Sequence, residues 1–131
     1  MSNLKIKSDE NFVAAQELAN KSCFNSSVHC SYYGCFQYIK SLLCNNCKLS
    51  YDVQNEIRGD SHDYIYNQVS NRISGSYLTR FRHNFENLKA KRKKADYLNE
   101  IIDADTCTQA IQEARAVVSV LKSTIGGRNK I

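Results

Sequence analysis

The chain has 131 residues, of which 42% are hydrophobic and 24% charged, so it has the length and composition of one globular domain rather than of a disordered segment. It contains no proline and only five glycines, which favours long uninterrupted helices over an all-β fold. No apolar run is long enough to span a bilayer, and the polar N-terminal stretch has no signal-peptide core, so we expect a soluble, cytoplasmic protein that does not enter a membrane.

The first two predicted helices carry most of the apolar pattern. The first is predicted to begin at Ser8 as N-cap and to end near Cys23. Its predicted buried stripe consists of Phe12, Ala15, Ala19 and Cys23. The second is predicted to follow a cap at Asn25 and to end near Leu43. Gly34 lies inside it at a cost of about 1 kcal/mol relative to alanine, which indicates that another helix crosses there without room for a Cβ.

The middle of the chain is less periodic. Residues 44–61 are predicted to form a loop with at most one helical turn. A short third helix is predicted to begin at Ser61, to bury Ile65, Val69 and Ile73, and to end at Gly75 as its C′ residue.

Two longer helices are predicted to complete the domain. One runs from Ser76 to about Ile102 with an inward seam of Leu78, Phe81, Phe85, Leu88, Arg92 and Ala95. The last begins with a capping-box pattern at residues 106–109 and runs to Gly126 and Gly127, before a frayed tail at residues 128–131. The sequence thus predicts one all-α domain over residues 1–131, an up-and-down bundle of about five helices.

Six cysteines occur without a secretion signal, so we expect reduced thiols that mostly fill the core. Cys44 and Cys47 have the spacing of half a zinc site, but no second pair follows at a finger-like distance. No metal or cofactor is therefore expected. The formal net charge of +5 favours a polyanionic partner such as RNA, DNA or a nucleotide, although ordinary soluble domains also carry this charge.

Two motifs resemble those of one protein superfamily. The run Cys30-Ser31-Tyr32-Tyr33-Gly34-Cys35-Phe36 is similar to the small-residue, Tyr-Tyr, Phe core helix of one branch of the HEPN superfamily. The run Arg92-Lys93-Lys94-Ala95-Asp96-Tyr97 is similar to the Arg-x-x-Ala-Asp-Tyr signature of the same branch. With His62 at the start of the third helix, the resemblance covers Asn11 to Leu121.

The resemblance implies a helical bundle that often forms a homodimer. It also implies a role connected with RNA cleavage, nucleotide binding, toxin–antitoxin pairs or phage defence, with a nucleotidyltransferase antitoxin as a partner in the toxin–antitoxin case. These are expectations carried by the resemblance alone.

The first candidate site consists of Arg58, His62 and Tyr64. Three residues separate Arg58 from His62, one fewer than in the arginine–histidine motif of HEPN ribonucleases, and Tyr64 echoes a His-x-Tyr pairing of some toxins. By this resemblance Arg58 stabilises phosphate charge and His62 is the general acid and base of a metal-independent endoribonuclease. Alternatively, His62 is an ordinary residue of a helix start and Arg58 a solvated loop cation.

The second candidate site consists of Arg92, Asp96 and Tyr97. Arg92 and Asp96 lie four residues apart and share a helix face, on which Arg92 interrupts an apolar seam. Either Arg92 lines a pocket for an anionic ligand, oriented by Asp96 and Tyr97, or Arg92 and Asp96 form a structural pair. Lys89 and Lys93 belong to a basic run that contacts phosphates or is simply a solvated face.

Three functions follow from these alternatives. The first is a HEPN-like module that binds a nucleotide, RNA or a partner protein through the helix around Arg92. The second is a metal-independent ribonuclease toxin that uses Arg58 and His62. The third is an interaction bundle in which all of these polar residues are structural.

Overall fold

The computed structural model describes residues 3–55 and 61–127, which form six α-helices and one 3₁₀ turn and contain no strand. The elements are α1 (Asn3–Asn20), α2 (Phe24–Cys47), α3 (Tyr51–Asn55), α4 (Ser61–Ser70), α5 (Gly75–Tyr97), α6 (Ala104–Ser123) and the 3₁₀ turn Ile125–Gly127. The predicted all-α helical bundle is confirmed. None of these helices combines the length and apolar character that a membrane crossing requires.

The central helix is α2, which contacts every other element. Its direction relative to α1 follows from two hydrogen bonds that tie hydroxyls to helix carbonyls. Ser8 Oγ donates to Gly34 O at 2.7 Å, and Ser27 Oγ donates to Ala15 O at 2.7 Å. Residue numbers rise along α1 as they fall along α2, so the two helices are antiparallel.

The other two long helices, α5 and α6, also alternate in direction. Cys35 Sγ donates to Ala114 O and Asn46 Nδ2 to Ile125 O, so α6 runs parallel to α2. The α5 helix runs against both, since its later residues pack beside the earlier residues of α2 and it is joined to α6 by a short loop. The four long helices thus alternate in direction along the chain, as an up-and-down bundle does.

The hydrophobic core lies between α2, α4, α5 and α6. Its largest fully buried side chains are Tyr32, Phe81, Phe85, Ile39, Leu43, Ile65, Leu88, Ile102, Leu121 and Ile125. The apolar seam predicted for α5 is therefore confirmed, and it includes the buried Arg92.

Several predicted boundaries were wrong because the cap residues have other partners. Ser8 is not an N-cap but lies inside α1, fully buried, where its hydroxyl is bonded to Gly34 O. The α1 helix ends at Asn20, and Cys23 is exposed rather than part of a buried stripe. Asn25 lies in the first turn of α2, and its Oδ1 accepts a hydrogen bond from Ile102 N at 3.0 Å.

The second helix also extends beyond its predicted end. It runs past Leu43 to Cys47, and Lys48 then ends it in the left-handed region at φ 59°. Residues 44–47 are thus helical rather than part of a loop. The short α3 corresponds to the single turn expected in this segment.

The later boundaries differ as well. The α4 helix ends at Ser70, and Ile73 is buried after the helix rather than in it. Gly75, at φ +64°, begins α5 instead of closing α4. The α5 helix ends at Tyr97, five residues before Ile102.

The last helix is capped by a different residue from the one predicted. Asp103 is the N-cap, and its Oδ1 accepts a hydrogen bond from Thr106 N at 2.7 Å, so the predicted capping box at residue 106 was wrong. The helix ends at Ser123, ahead of the 3₁₀ turn that contains Gly126 and Gly127. The tail predicted at residues 128–131 lies outside the described residues.

The cysteines fill less of the core than predicted. All six are free, but only Cys35 and Cys107 are buried. Burial strongly raises the pKa of the Cys35 thiol, which keeps it protonated and unreactive.

The glycine predicted at a helix crossing does lie at one. A Cβ added to Gly34 would be 2.6 Å from Cε1 of Phe12 on α1, which is closer than van der Waals contact allows. Replacing Gly34 by alanine therefore has two opposite effects. The added Cβ clashes with Phe12, whereas alanine favours the helix more than glycine does.

We expect Gly34→Ala to lower the free energy of unfolding by about 1–3 kcal/mol, the usual cost of overpacking. In a Phe12→Ala background the clash is absent, so the same substitution should raise stability by up to about 1 kcal/mol through helix propensity. Urea unfolding of the four proteins measures both effects. The same sign in both backgrounds would contradict the close crossing.

Candidate functional site

Seven side chains from α2, α4 and α5 meet beside the central helix. This Arg92 cluster consists of His29, Tyr32 and Tyr33 from α2, His62 from α4, and Arg92, Asp96 and Tyr97 from α5. The three α2 residues lie on one face because they are spaced three and four residues apart. The antiparallel packing of α2 and α5 brings the end of α5 to the beginning of α2.

Arg92 is at the centre of the cluster and is only 5% exposed. Its guanidinium carbon lies 4.8 Å from the ring centroid of Tyr32, 5.5 Å from that of Tyr33 and 5.3 Å from that of Tyr97. These are cation–π distances. Its Nη1 donates a hydrogen bond to Tyr97 Oη at 3.1 Å, while its buried Nε has no hydrogen-bond partner in the described chain.

The carboxylate of Asp96 is shared unequally. Its Oδ2 lies 2.8 Å from His29 Nδ1 but 3.9 Å from Arg92 Nη1, which is beyond hydrogen-bonding distance. Burial alone would lower the pKa of Arg92, but Tyr33, Tyr32 and Tyr97 favour the charged form and the net shift is upward. Arg92 is therefore a buried cation that no described carboxylate contacts closely.

A hydrogen bond joins His62 to the same group of rings. The hydroxyl of the fully buried Tyr32 is bonded to His62 Nδ1, and the imidazole packs 4.5 Å from the ring centroid of Phe36. The guanidinium of Arg92 lies over the same Tyr32 ring. Tyr32 thus contacts Arg92 through its ring and His62 through its hydroxyl.

The structure therefore unites residues that the sequence assigned to two sites. His62 and Arg92 meet at one phenol, although they were predicted to act separately. Tyr64 is not part of the Arg92 cluster. It packs against the hydrophobic core and forms no hydrogen bond with a described residue. Arg58 lies outside the described residues.

The predicted structural pair of Arg92 and Asp96 is only loosely formed, since His29 is the closer partner of Asp96. Of the two lysines predicted to bind a ligand, Lys89 lies 3.1 Å from Asp63 Oδ1, and Lys93 is exposed. The basic helix is thus partly neutralised by ion pairs, and Lys93 extends into solvent.

Sequence reasoning did not assign a site role to His29, Tyr32 or Tyr33. Their spacing on one helix face was readable from the sequence. Tyr32 follows the apolar period of α2, however, which is the pattern of a core residue. It is a core residue whose hydroxyl also belongs to the site.

The chain matches no protein-family model, no curated protein and no solved structure. The resemblance to the HEPN superfamily is therefore carried by the motifs alone and stays a prediction.

We expect Tyr32→Phe to lower the free energy of unfolding by about 1–3 kcal/mol, because it removes a buried hydroxyl that is hydrogen-bonded to His62. Tyr77→Phe is the matched control, since Tyr77 is 43% exposed and should change stability by less than about 0.5 kcal/mol. Chemical denaturation with both variants measures the difference. Equal effects would contradict a stabilising hydrogen bond between Tyr32 and His62.

Proposed function

We propose that the chain binds a phosphate-bearing ligand, a nucleotide or RNA, at the Arg92 cluster. The observation that supports this most directly is the state of Arg92. It is a buried cation whose Nε–H has no partner in the described residues, and the carboxylate closest to it is held by His29. An isolated buried charge is costly, and a phosphate is the anion whose oxygens match the fork of a guanidinium.

The aromatic side chains suit the rest of such a ligand. Tyr97 is 72% exposed, and Tyr33 is partly buried beside it around the same guanidinium. The exposed His29 ring lies 4.7 Å from that of Tyr33. Aromatic rings beside an arginine are the usual means of stacking an unpaired base while its phosphate is held by charge.

The surface around the cluster attracts polyanions. Lys93 is exposed on the same helix, and Lys89 contributes a cation that is already held in place by Asp63. Lysines of this kind add sequence-independent affinity, which falls as salt rises.

The resemblance of residues Arg92–Tyr97 to the HEPN signature favours the same proposal. A toxin–antitoxin or phage-defence setting, with a nucleotidyltransferase antitoxin as partner, is the biological context that this resemblance favours. A ligand-free interaction bundle is the alternative, and it predicts no binding of nucleotide or RNA.

We expect Arg92→Gln to weaken binding of ATP or of a short single-stranded RNA by about tenfold or more, since it removes a charge-assisted contact. Arg82→Gln is the matched control, because Arg82 is exposed on the same helix and its loss changes the net charge equally. Calorimetry gives affinities, and circular dichroism shows that both variants are folded.

Arg92→Lys separates charge from geometry in this experiment. It keeps the cation but loses the planar fork, so it should bind more weakly than wild type and more tightly than Arg92→Gln. Equal affinities for all four proteins would exclude Arg92 as the phosphate contact. Absence of binding by the wild type would favour the interaction bundle.

A second function, metal-independent RNA cleavage, is favoured by the contacts of Tyr32, whose hydroxyl is bonded to His62 and whose ring faces Arg92. An imidazole held by a phenol and backed by a guanidinium has the groups needed for proton transfer at a ribose hydroxyl and for stabilising phosphate charge. In this proposal His62 is the general acid and base, with Arg92 and Arg58 as the cations that contact phosphate.

If the chain is a ribonuclease, it should cleave cellular RNA in the presence of EDTA, and His62→Ala should slow cleavage by about a hundredfold or more. His83→Ala is the matched control, since His83 is exposed on α5 and its side chain hydrogen-bonds only to Asn87 among the described residues. Cleavage by wild type and His83→Ala alone would establish the activity. Lack of cleavage by wild type would exclude it and leave the binding proposal intact.

A further inference from the structure

A cavity of about 560 Å³ lies between α1, α2 and α6, and no residue of the Arg92 cluster lines it. Each of the three helices contributes one small, buried side chain to its floor, namely Ala15, Ser31 and Ala114. Small side chains fill little of the space between packed helices, so a concave site remains above them. Sites for small molecules usually have volumes of about 300–1,000 Å³. This α1–α6 cavity therefore has the size of a small-molecule site.

The walls of the α1–α6 cavity are apolar. Phe12 on α1 and both Ile111 and Val118 on α6 line it, and all three are partly buried against the core. The position of Phe12 is fixed by the close crossing of α1 over Gly34. Apolar groups of a ligand leave water when they pack on such walls, which favours binding. The walls thus suit a ligand with an apolar body.

The opening of the cavity has a basic edge on α6. Arg115, Ser119 and Lys122 lie at positions i, i+4 and i+7, line the cavity and are exposed. This spacing places them on one face of the helix, beside the apolar residues of the wall. No acidic residue lines the cavity among the described parts of the chain. One helix therefore presents apolar side chains to the interior and positive charge to the opening.

The charges at this edge are not compensated by carboxylates. Neither Arg115 nor Lys122 forms an ion pair with a described residue. Arg115 Nη2 donates instead to the neutral amide oxygen Oε1 of Gln16, at 3.3 Å, which is longer than most N–H···O hydrogen bonds. A hydrogen bond to a carboxylate is shorter and about twice as strong. An anionic group at the edge would thus be a better partner for Arg115 than Gln16 is.

We propose that the α1–α6 cavity binds a medium-chain fatty acid. The alkyl chain packs on Phe12, Ile111 and Val118, and the carboxylate accepts hydrogen bonds at the basic edge. Ile111 and Lys122 are eleven positions apart, so at about 1.5 Å per residue this face of α6 is about 16 Å long. An alkyl chain of medium length with its carboxylate fits along a face of this length. A ligand with one chain is favoured because the cavity has the volume of a small-molecule site.

Calorimetry with decanoate, below the concentration at which it forms micelles, tests the proposal on the full chain. Decanoate should bind the wild type at one site. Decyltrimethylammonium has the same chain with the opposite charge, and acetate has the carboxylate without the chain. Each should bind at least about tenfold more weakly than decanoate, because each lacks one of the two matching features.

Variants of the cavity identify the site. Arg115→Gln with Lys122→Gln should weaken decanoate binding by about tenfold or more, since it removes both cations. Val118→Phe should weaken it as well, because the larger side chain fills the cavity. Arg80→Gln with Arg82→Gln is the matched control: it removes the same charge from exposed residues of α5 that do not line the cavity, so binding should be unchanged. Circular dichroism shows whether each variant is folded.

Three results of these titrations would overturn the proposal. They are absence of decanoate binding by the wild type, equal affinity for the two decyl compounds, and equal affinity of the two double variants for decanoate. Sedimentation tests for a second copy of the chain as the occupant. A dimer that Val118→Phe dissociates, together with no binding of decanoate, would assign the cavity to that interface and also overturn the proposal. No variant changes a residue of the Arg92 cluster, so the outcome is independent of the proposed function.

Discussion

The burial of Tyr32 at the centre of α2 is the constraint on which both the core and the site depend. Its ring packs 5.6 Å from that of Phe85 on α5, and the residue has no exposed surface. A hydroxyl in that position needs polar partners inside the protein. His62 is bonded to this hydroxyl and the Arg92 guanidinium lies over the ring, so two polar residues meet the same tyrosine at the edge of the core. The site is in this sense a consequence of how α2 is buried.

Helix periodicity made the fold class and the α5 seam predictable, and it also located the close crossing at Gly34. The caps were not predictable in the same way. Ser8 has the local sequence of an N-cap, but its hydroxyl is bonded to Gly34 O, a partner 26 residues away. Asn25 is similarly engaged with the backbone at Ile102. Local rules describe the end of an isolated helix, whereas these side chains satisfy groups on a neighbouring element.

The same distinction explains what was predicted of the site. The individual residues His62, Arg92, Asp96 and Tyr97 were identified from motif and pattern, and their assignment to two sites followed from their distance along the chain. Their union at Tyr32 depends on α5 running antiparallel to α2 and on α4 lying beside both, which is tertiary information. The preference of Asp96 for His29 over Arg92 is likewise a matter of distances that no spacing rule contains.

Arg92 occupies a position where a leucine would continue the apolar seam of Phe81, Phe85 and Leu88. The three aromatic rings favour the charged guanidinium, but its buried Nε–H forgoes a hydrogen bond, a loss of about 1–3 kcal/mol. Ion pairs in such positions are often less stable than well-packed hydrophobic residues, and Arg92 lacks even a close ion pair. Stability alone therefore does not account for an arginine here. A ligand that supplies the missing anion would recover the lost interaction on binding, which is why this residue is the centre of the functional proposal.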